Sequence, residues 1–172
     1  MHISMDGKEK KILEIVSEFF KKLPKFEDGR IDYSNSDTAP VITVFIKYKD
    51  RILLMKRSDK VLTYKGKWNT VAGYLDELKP IREKVIGEIK EELGIEENNI
   101  FSIFIGESYK FKDEKINRTW IVFPVLAELK NKPEIKLDWE HTEYKWITPK
   151  ELENFEIVTN LKESLNRVIK PR

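Results

Sequence analysis

The chain contains no cysteine in its 172 residues, which excludes disulfide bonds, thiolate metal sites and thiol nucleophiles. Glycine and proline are scarce, at seven residues each, and the chain shows no internal repeat or low-complexity segment. No apolar run approaches the roughly 20 residues that a membrane-spanning helix requires. The first residues, MHISMDGKEKK, lack the apolar core of a signal peptide, and we therefore expect a cytoplasmic protein without membrane contacts.

An excess of charge of one sign is also missing. The 32 basic and 30 acidic residues leave a formal net charge of +2, and neither half of the chain is lopsided in charge. This balance argues against general nucleic-acid binding, which needs a basic surface. Hydrophobic residues make up 40% of the chain, as in globular proteins, and the length suits one well-formed core.

Hydrophobic periodicity predicts a mixed α/β protein. Apolar residues on one face predict a helix over residues 7–22, which ends before Pro24, and residues 24–38 follow as a linker. Two β-rich runs around a polar turn predict a hairpin over residues 41–57. Further strands are predicted at residues 101–111, 119–129 and 144–147, with a short helix at 148–155 and a final helix at 158–168.

A central helix is predicted between Pro80, which suits a first helical turn, and Gly94, which suits a C-terminal end. Its expected buried stripe consists of Val85, Ile86, Ile89 and Leu93.

Three glutamates, Glu88, Glu91 and Glu92, share one arc of about 100° on this helix. Like charges at these spacings repel one another and destabilise a helix, so the presence of three glutamates together requires an explanation. Carboxylates that converge beside a buried stripe offer the oxygen ligands that Mg²⁺ and Mn²⁺ prefer. From spacing alone, a solvated acidic face in a glutamate-rich chain explains the cluster equally well.

The stretch GYLDELKPIREKVIGEIKEELGI, residues 73–95, resembles the signature of the Nudix hydrolase family, G-x5-E-x7-R-E-U-x-E-E-x-G-U, in which U is aliphatic. The matching residues are Gly73, Glu88, Ile89, Glu91, Glu92, Gly94 and Ile95. The hairpin, its MKRS ending, the GKW loop and the segment WEHTEYKWITPKEL are also similar to a Nudix domain, so the resemblance covers residues 39–155.

The resemblance implies a Nudix α/β/α sandwich, with a mixed β-sheet between helices, over residues 39–172. Residues 1–38 would then form an extra N-terminal accessory helix and its linker. Because family members are often dimers, we expect a homodimer in which this N-terminal part takes part.

The implied activity is hydrolysis, dependent on Mg²⁺ or Mn²⁺, of the pyrophosphate bond in a nucleoside diphosphate that is linked to another moiety. Glu88, Glu91 and Glu92 would be the catalytic and metal-binding residues, and Glu88 is also a candidate for the general base. The backbone carbonyl of Ala72 or Gly73 would supply a further metal ligand.

Four residues are candidates for substrate binding. Arg57 would face the phosphates, and Trp139 would stack on the nucleobase, although a surface arginine and a core or edge tryptophan are the simpler readings. Glu140 or Glu143 would contribute a further carboxylate from a later loop, unless WEHTE is only an exposed turn. The neighbouring His141 is predicted to be a surface residue, and the only other histidine is His2.

Two positions depart from the signature. Lys79 stands where a glutamate is expected, and Gly87 stands where an arginine is expected. In the family, that arginine helps to hold the catalytic glutamates, and the loss of both charges leaves neither one unpaired. We hypothesise that Lys79 or Lys84 supplies the missing positive charge, since Lys84 falls on the same helix face as Glu88.

Two alternatives follow from the same resemblance. A non-catalytic, Nudix-like nucleotide-binding module would explain Lys79 and Gly87, but such a module has little reason to keep three glutamates on one helix face. An isopentenyl-diphosphate isomerase is similar over residues 57–70, RSDKVLTYKGKWNT. That chemistry, however, needs a cysteine and metal-binding histidines near Gly73, and the chain has neither.

Overall fold

The structure, a computed structural model, describes residues 5–169, so His2 lies outside the described residues. Three α-helices occur in this part of the chain: α1 (Gly7–Lys22), α2 (Ile81–Leu93) and α3 (Leu161–Val168). The strands are β1 (Thr38–Tyr48), β2 (Arg51–Arg57), β3 (Trp68–Asn69), β4 (Val71–Tyr74), β5 (Ile100–Ile105), β6 (Tyr109–Asp113), β7 (Arg118–Leu129) and β8 (His141–Ile147). Two short 3₁₀ segments complete the fold, at Glu97–Asn99 and Pro149–Asn154.

All of these strands belong to one mixed sheet, at whose centre β1 and β7 run parallel. The other edge of β1 pairs with β4 over residues 41–44 and with β2 over residues 47–48. Strands β3 and β8 pair with β2, while β5 and β6 pair with β7. Strand β4 therefore lies beside the middle of the sheet and leads directly into the loop before α2.

Alternating side chains of the central strands fill two separate cores. On β1, Val44 and Ile46 belong to one buried cluster with α1 and α2, whereas Phe45 belongs to a second cluster with α3. The same alternation occurs on β2, where Leu53 and Leu54 face opposite sides. Since successive strand residues point to opposite faces, the two clusters lie on opposite sides of the sheet. Helices α1 and α2 therefore cover one face and α3 covers the other. This confirms the α/β/α sandwich.

The N-terminal part of the chain is packed on the body of the protein. An Asp6–Glu9 capping box begins α1, and Ile12 and Val16 enter the first core together with Ile31 and Tyr33 of the linker. Buried Glu9 accepts a hydrogen bond from the Arg82 side chain on α2. The apolar face of α1 is therefore used within the chain.

The predicted strand at residues 101–111 is wrong in one respect, because it is interrupted. Strands β5 and β6 run along the same side of β7, but the chain leaves the ladder at residues 106–108. The Gly106 N–H donates to the Pro124 carbonyl oxygen at 2.8 Å. The backbone nitrogen and the carbonyl oxygen of a strand residue face the same side, so the Pro124 nitrogen, which has no hydrogen to donate, also faces this interruption. Strand β7 tolerates the proline because the ladder of hydrogen bonds is interrupted there.

Three smaller differences concern helices. Ile86 is only half-buried, and Ile81 takes its predicted place in the buried stripe of α2. The segment 149–154 is a 3₁₀ helix, although Thr148 begins it with the predicted cap. Val158 precedes α3 and still enters the second core. Within residues 5–169, no helix combines the length and apolarity needed to cross a bilayer.

Candidate metal and substrate site

Helix α2 holds the glutamates in place. Its buried face is anchored by Ile81, Val85, Ile89 and Leu93. Gly94 ends the helix in the left-handed conformation, at φ 71°, which a residue with a side chain rarely adopts. Glu88 and Glu92 lie one turn apart, with Glu88 half-buried and Glu92 buried, whereas Glu91 is exposed.

Gly73 of β4 lies directly against the Glu88 carboxylate. A Cβ atom at position 73 would lie 2.8 Å from the Glu88 Cδ atom and 3.0 Å from its Oε1 atom. Real Cβ atoms do not approach other atoms this closely, so only glycine allows Glu88 to reach the strand backbone here. The first glycine of the signature is therefore explained by a close approach.

Glu92 is a buried acid with an unused oxygen atom. The residue is 4% exposed, and its Oε2 atom has no hydrogen-bond partner among residues 5–169. Burial raises the pKa of Glu92 well above its ordinary value, and Glu88, Glu140 and Asp138 act in the same direction. Burial also raises the pKa of Glu88, while the nearby Lys84 opposes this effect. A carboxylate in such a position destabilises the protein unless a cation or a hydrogen-bond donor reaches it.

The later acidic loop is brought to the same place. The Ser58 N–H at the end of β2 donates to the Glu140 carbonyl oxygen at 2.7 Å and ties this loop to the site. Burial raises the pKa of the Glu140 side chain, Asp138 and Glu91 add to the effect, and Arg57 opposes it. Glu140 is therefore close enough to Arg57 and Glu91 to interact with both charges.

Arg57 lies half-buried at the end of β2. Its Nε atom donates to the Thr63 carbonyl oxygen at 3.0 Å, which fixes the direction of the guanidinium group. Burial lowers the pKa of Arg57, whereas Glu140 and Glu92 oppose that change. An arginine stays charged in proteins, so this residue presents a fixed positive charge beside the acidic cluster.

A cleft of about 230 Å³ opens next to Arg57 and Gly73. Its walls combine aromatic side chains with polar ones, among them Tyr74, Phe111, Trp120, Asn69, Tyr64 and Asp113. The Tyr64 hydroxyl donates to the buried Asp113 carboxylate across this cleft. The Arg118 guanidinium lies over the Trp120 ring, 4.9 Å from its centroid, and braces that wall.

Three of the four predicted substrate-binding residues, Trp139, Glu140 and Glu143, do not line this cleft. Trp139 is 63% exposed, and Glu143 lies exposed on β8 opposite Lys56. Trp120 lines the cleft instead. Strand periodicity places Trp120 in β7 but does not reveal that β6 and the segment before α3 form a cleft around it.

The predicted surface position of His141 is wrong. The residue is buried at the start of β8, and its Nδ1 atom lies 3.1 Å from an Asp138 Oδ1 atom. Burial lowers the pKa of His141, although Asp138 acts in the opposite direction.

This lowered pKa predicts a pH-dependent contribution to stability. Between the folded and unfolded pKa values of His141, only the unfolded chain binds the proton, so stability decreases as the pH falls below about 6.5. We expect the free energy of unfolding of wild type, relative to His141→Asn, to decrease by up to about 1.4 kcal/mol per pH unit in this range.

Urea denaturation at pH 5.5, 6.5 and 7.5 measures this difference, and His2→Asn is the matched control because it removes the only other histidine. A difference that is constant across the three pH values would contradict the assignment to His141.

The donor set fits a divalent cation. Within residues 5–169, no three Asp, Glu or His side chains are already gathered in a closed metal-binding arrangement. Mg²⁺, however, keeps several waters and often uses only one or two carboxylates together with substrate phosphates. Glu88, the unused oxygen of Glu92 and the backbone at Gly73 meet that requirement, and exposed Glu91 is free to turn toward them.

Comparisons with known structures find the same fold. The MutT protein from Methanosarcina mazei Go1 is 21% identical, with a TM-score of 0.63, over 77% of this chain and 94% of that chain. The MutT NUDIX hydrolase from Burkholderia pseudomallei is 22% identical, also with a TM-score of 0.63, over 77% of this chain and 98% of that chain. The Ap4A hydrolase of C. elegans, solved as a binary complex, is 20% identical, with a TM-score of 0.60, over 75% and 93% of the two chains.

A search of curated protein sequences found no match to this chain. These three structures are less than 25% identical to this chain, so their similarity shows the fold alone. The family model described as the NUDIX domain matches residues 37–168, which is most of the chain. The protein therefore belongs to the NUDIX domain family, the Nudix hydrolases.

Proposed function

We propose that this protein is a Mg²⁺- or Mn²⁺-dependent pyrophosphohydrolase that cleaves the pyrophosphate bond of a nucleoside diphosphate linked to another moiety. The observation that carries the proposal is the unpartnered, buried Oε2 atom of Glu92. Glu88, which contacts Gly73, lies one turn away on the same helix, and Arg57 carries a nearby positive charge. A site that binds cation and diphosphate together explains why these charges are kept.

Glu88, Glu91 and Glu92, with a backbone carbonyl at Ala72 or Gly73, are the proposed metal ligands. A bound divalent cation would neutralise charge on the phosphate oxygens and make a water molecule more acidic. The helix that carries the three glutamates is anchored by buried residues such as Val85 and Ile89. Buried Glu92 and half-buried Glu88 are therefore positioned before any substrate arrives, whereas exposed Glu91 turns toward the cation when it binds.

Arg57 is the proposed phosphate-binding residue. Phosphoryl transfer spreads negative charge over several oxygen atoms, and a fixed cation at that place lowers the barrier. The hydrogen bond from Arg57 Nε to Thr63 leaves its terminal nitrogens available for the phosphates. Glu88 is the candidate base for the attacking water, and Glu140 supplies a further carboxylate at the rim of the site.

The cleft beyond Arg57 is the proposed place for the organic part of the substrate. Trp120 and Phe111 offer flat apolar surfaces on which a nucleobase can stack. Asn69, which also lines the cleft, supplies a side-chain amide for hydrogen bonds to the base. We place the nucleobase here in preference to Trp139, whose side chain lies mostly in solvent.

Release of phosphate-containing products from a panel of nucleoside diphosphate derivatives, including Ap4A, tests the proposal. Each compound is incubated with Mg²⁺, with Mn²⁺ and with EDTA. We expect turnover of at least one compound that depends on the metal and is lost in EDTA.

The competing function, a nucleotide-binding module without catalysis, predicts a different result. It would be supported by no turnover on any compound together with no heat of metal binding in calorimetry. The homodimer and the cytoplasmic location stay predictions from the sequence, and light scattering on the purified protein tests the first of them.

A further inference from the structure

The two charges that the signature calls for are absent, yet the space for one of them is open. At Gly87, which is exposed, a Cβ atom would meet nothing within 4 Å. Lys79 does not replace the missing charge near the glutamates, because its Nζ atom pairs with Glu77 at 3.1 Å and its side chain is half exposed. Neither position therefore supports Glu88 directly.

Lys84 lies one turn before Glu88 and points into an acidic pocket. Its side chain is only 12% exposed, and its Nζ atom lies 2.7 Å from Asp76 Oδ1, 3.2 Å from Glu77 Oε1 and 3.6 Å from Glu88 Oε1. An ammonium group has three donors, and here three carboxylates surround it. Lys84 thus joins the loop before α2 to the candidate catalytic glutamate.

The other end of this connection is fixed by the N-terminal linker. The Ile31 N–H donates to the Asp76 carbonyl oxygen at 2.8 Å, and the Tyr33 hydroxyl donates to the Leu75 carbonyl oxygen at 2.7 Å. Arg30 adds a charge 3.8 Å from Asp76 Oδ2. These three linker residues precede the segment that the family model matches, residues 37–168.

We propose that Lys84 is a positioning residue, held by Asp76, that fixes the Glu88 carboxylate against Gly73 and takes over the task of the missing signature charges. The expected effect of Lys84 on the reaction rate rests on the proposed function, whereas its expected effect on the position of Glu88 does not. Glu88 and Glu92 repel each other when both are charged, and Lys84 is the cation that offsets this repulsion on the helix side. The linker contributes because it holds Asp76 in place.

The test compares two substitutions of Lys84 with a matched control and with a variant that restores the charges of the signature. Lys84→Met removes the charge and keeps the length of the side chain, while Lys84→Arg keeps the charge. Lys90→Met is the matched control, since Lys90 is an exposed residue of the same helix that pairs with Glu96, away from the glutamate cluster. A triple variant combines Lys84→Met with Lys79→Glu and Gly87→Arg and so restores the two charges of the signature. Position 87 has open space for the new side chain.

We expect Lys84→Met to lower kcat by about 10- to 100-fold at saturating metal, as the loss of a group that orients a ligand usually does. KM for the substrate should change little, because Lys84 does not line the cleft. Lys84→Arg and Lys90→Met should keep most of the activity, and the triple variant should recover it. Asp76→Asn, which keeps the shape of the residue, should lower kcat in the same way if Lys84→Met does not fold.

Crystals of the metal-free variants give a second readout that does not depend on activity. In Lys84→Met the Glu88 carboxylate should leave Gly73, whereas in the control it should stay. A wild-type kcat together with an unmoved Glu88 would overturn the inference. If wild type hydrolyses nothing, the proposed function fails, and the position of Glu88 in these crystals still decides whether Lys84 positions it.

Discussion

Replacing Glu92 by glutamine should reduce metal-dependent hydrolysis by at least about 10²-fold and, at the same time, make the metal-free protein more stable. The loss of activity follows because the amide cannot donate a charged oxygen to the cation. The gain follows because the buried, unpartnered Oε2 atom costs about 1–3 kcal/mol in the absence of a cation. An amide at this place is neutral and can donate to the nearby Glu88 carboxylate.

Steady-state kinetics with Mg²⁺ and thermal unfolding with and without Mg²⁺ measure both effects. Wild type should be stabilised by the metal, because a ligand that binds only the folded state raises the free energy of unfolding. Glu92→Gln should show a much smaller shift. Glu96→Gln is the control, since Glu96 is an exposed glutamate just after the helix. A variant that is inactive and also less stable than wild type would indicate a structural role for Glu92 instead.

Replacing Arg57 by methionine should lower kcat by about 10²- to 10³-fold, the cost usually found when one group that stabilises transition-state charge is removed. Its guanidinium lies at the junction of the acidic cluster and the cleft, where the phosphates are proposed to sit. Arg57→Lys should recover only part of the activity, because all donors of an ammonium share one nitrogen, whereas the planar guanidinium bonds Thr63 through Nε and presents its two terminal nitrogens to a phosphate.

Arg51→Met is the matched control for this experiment. Arg51 begins the same strand, is half exposed and pairs with Glu151 at 3.6 Å, far along β2 from the site. Its replacement should leave kcat and KM unchanged. If Arg57→Met raised KM while kcat stayed the same, Arg57 would bind the substrate without contributing to the transition state.

Local patterns predicted the elements of this fold well. The helix α1 has the predicted bounds, and α2 lies between Pro80 and Gly94 as predicted. Proline and glycine influence only the helical turn next to them, so such signals can be read from the local sequence. The hairpin of β1 and β2 follows from two apolar runs around a short turn. In each case the signal and the structure that it produces are neighbours in the sequence.

The features that the sequence did not reveal depend on distant contacts. The exposure of Trp139 and the burial of His141 follow from how the later loop packs on β2, which no local pattern records. The interruption at residues 106–108 lies opposite Pro124 of β7, whose carbonyl oxygen accepts a hydrogen bond from the Gly106 N–H. Interrupted pairing is a property of two strands together, so neither run predicts it alone.

The candidate site combines features that local spacing predicted with features that depend on distant contacts. Helical spacing predicted that Glu88 and Glu92 share a face, and it placed Lys84 near Glu88. Spacing did not show that Asp76 accepts the Lys84 ammonium or that Ile31 and Tyr33 hold the loop that carries Asp76. Those contacts join parts of the chain that only the folded structure brings together.

Anomalous diffraction from crystals soaked in MnCl₂ tests the central claim most directly, since it locates manganese without reference to activity. The account predicts a peak between Glu88 and Glu92 on the side of Gly73, with the Oε2 atom of Glu92 among the ligands. A fully soaked crystal with no peak there, or with manganese bound only to exposed carboxylates elsewhere, would contradict it.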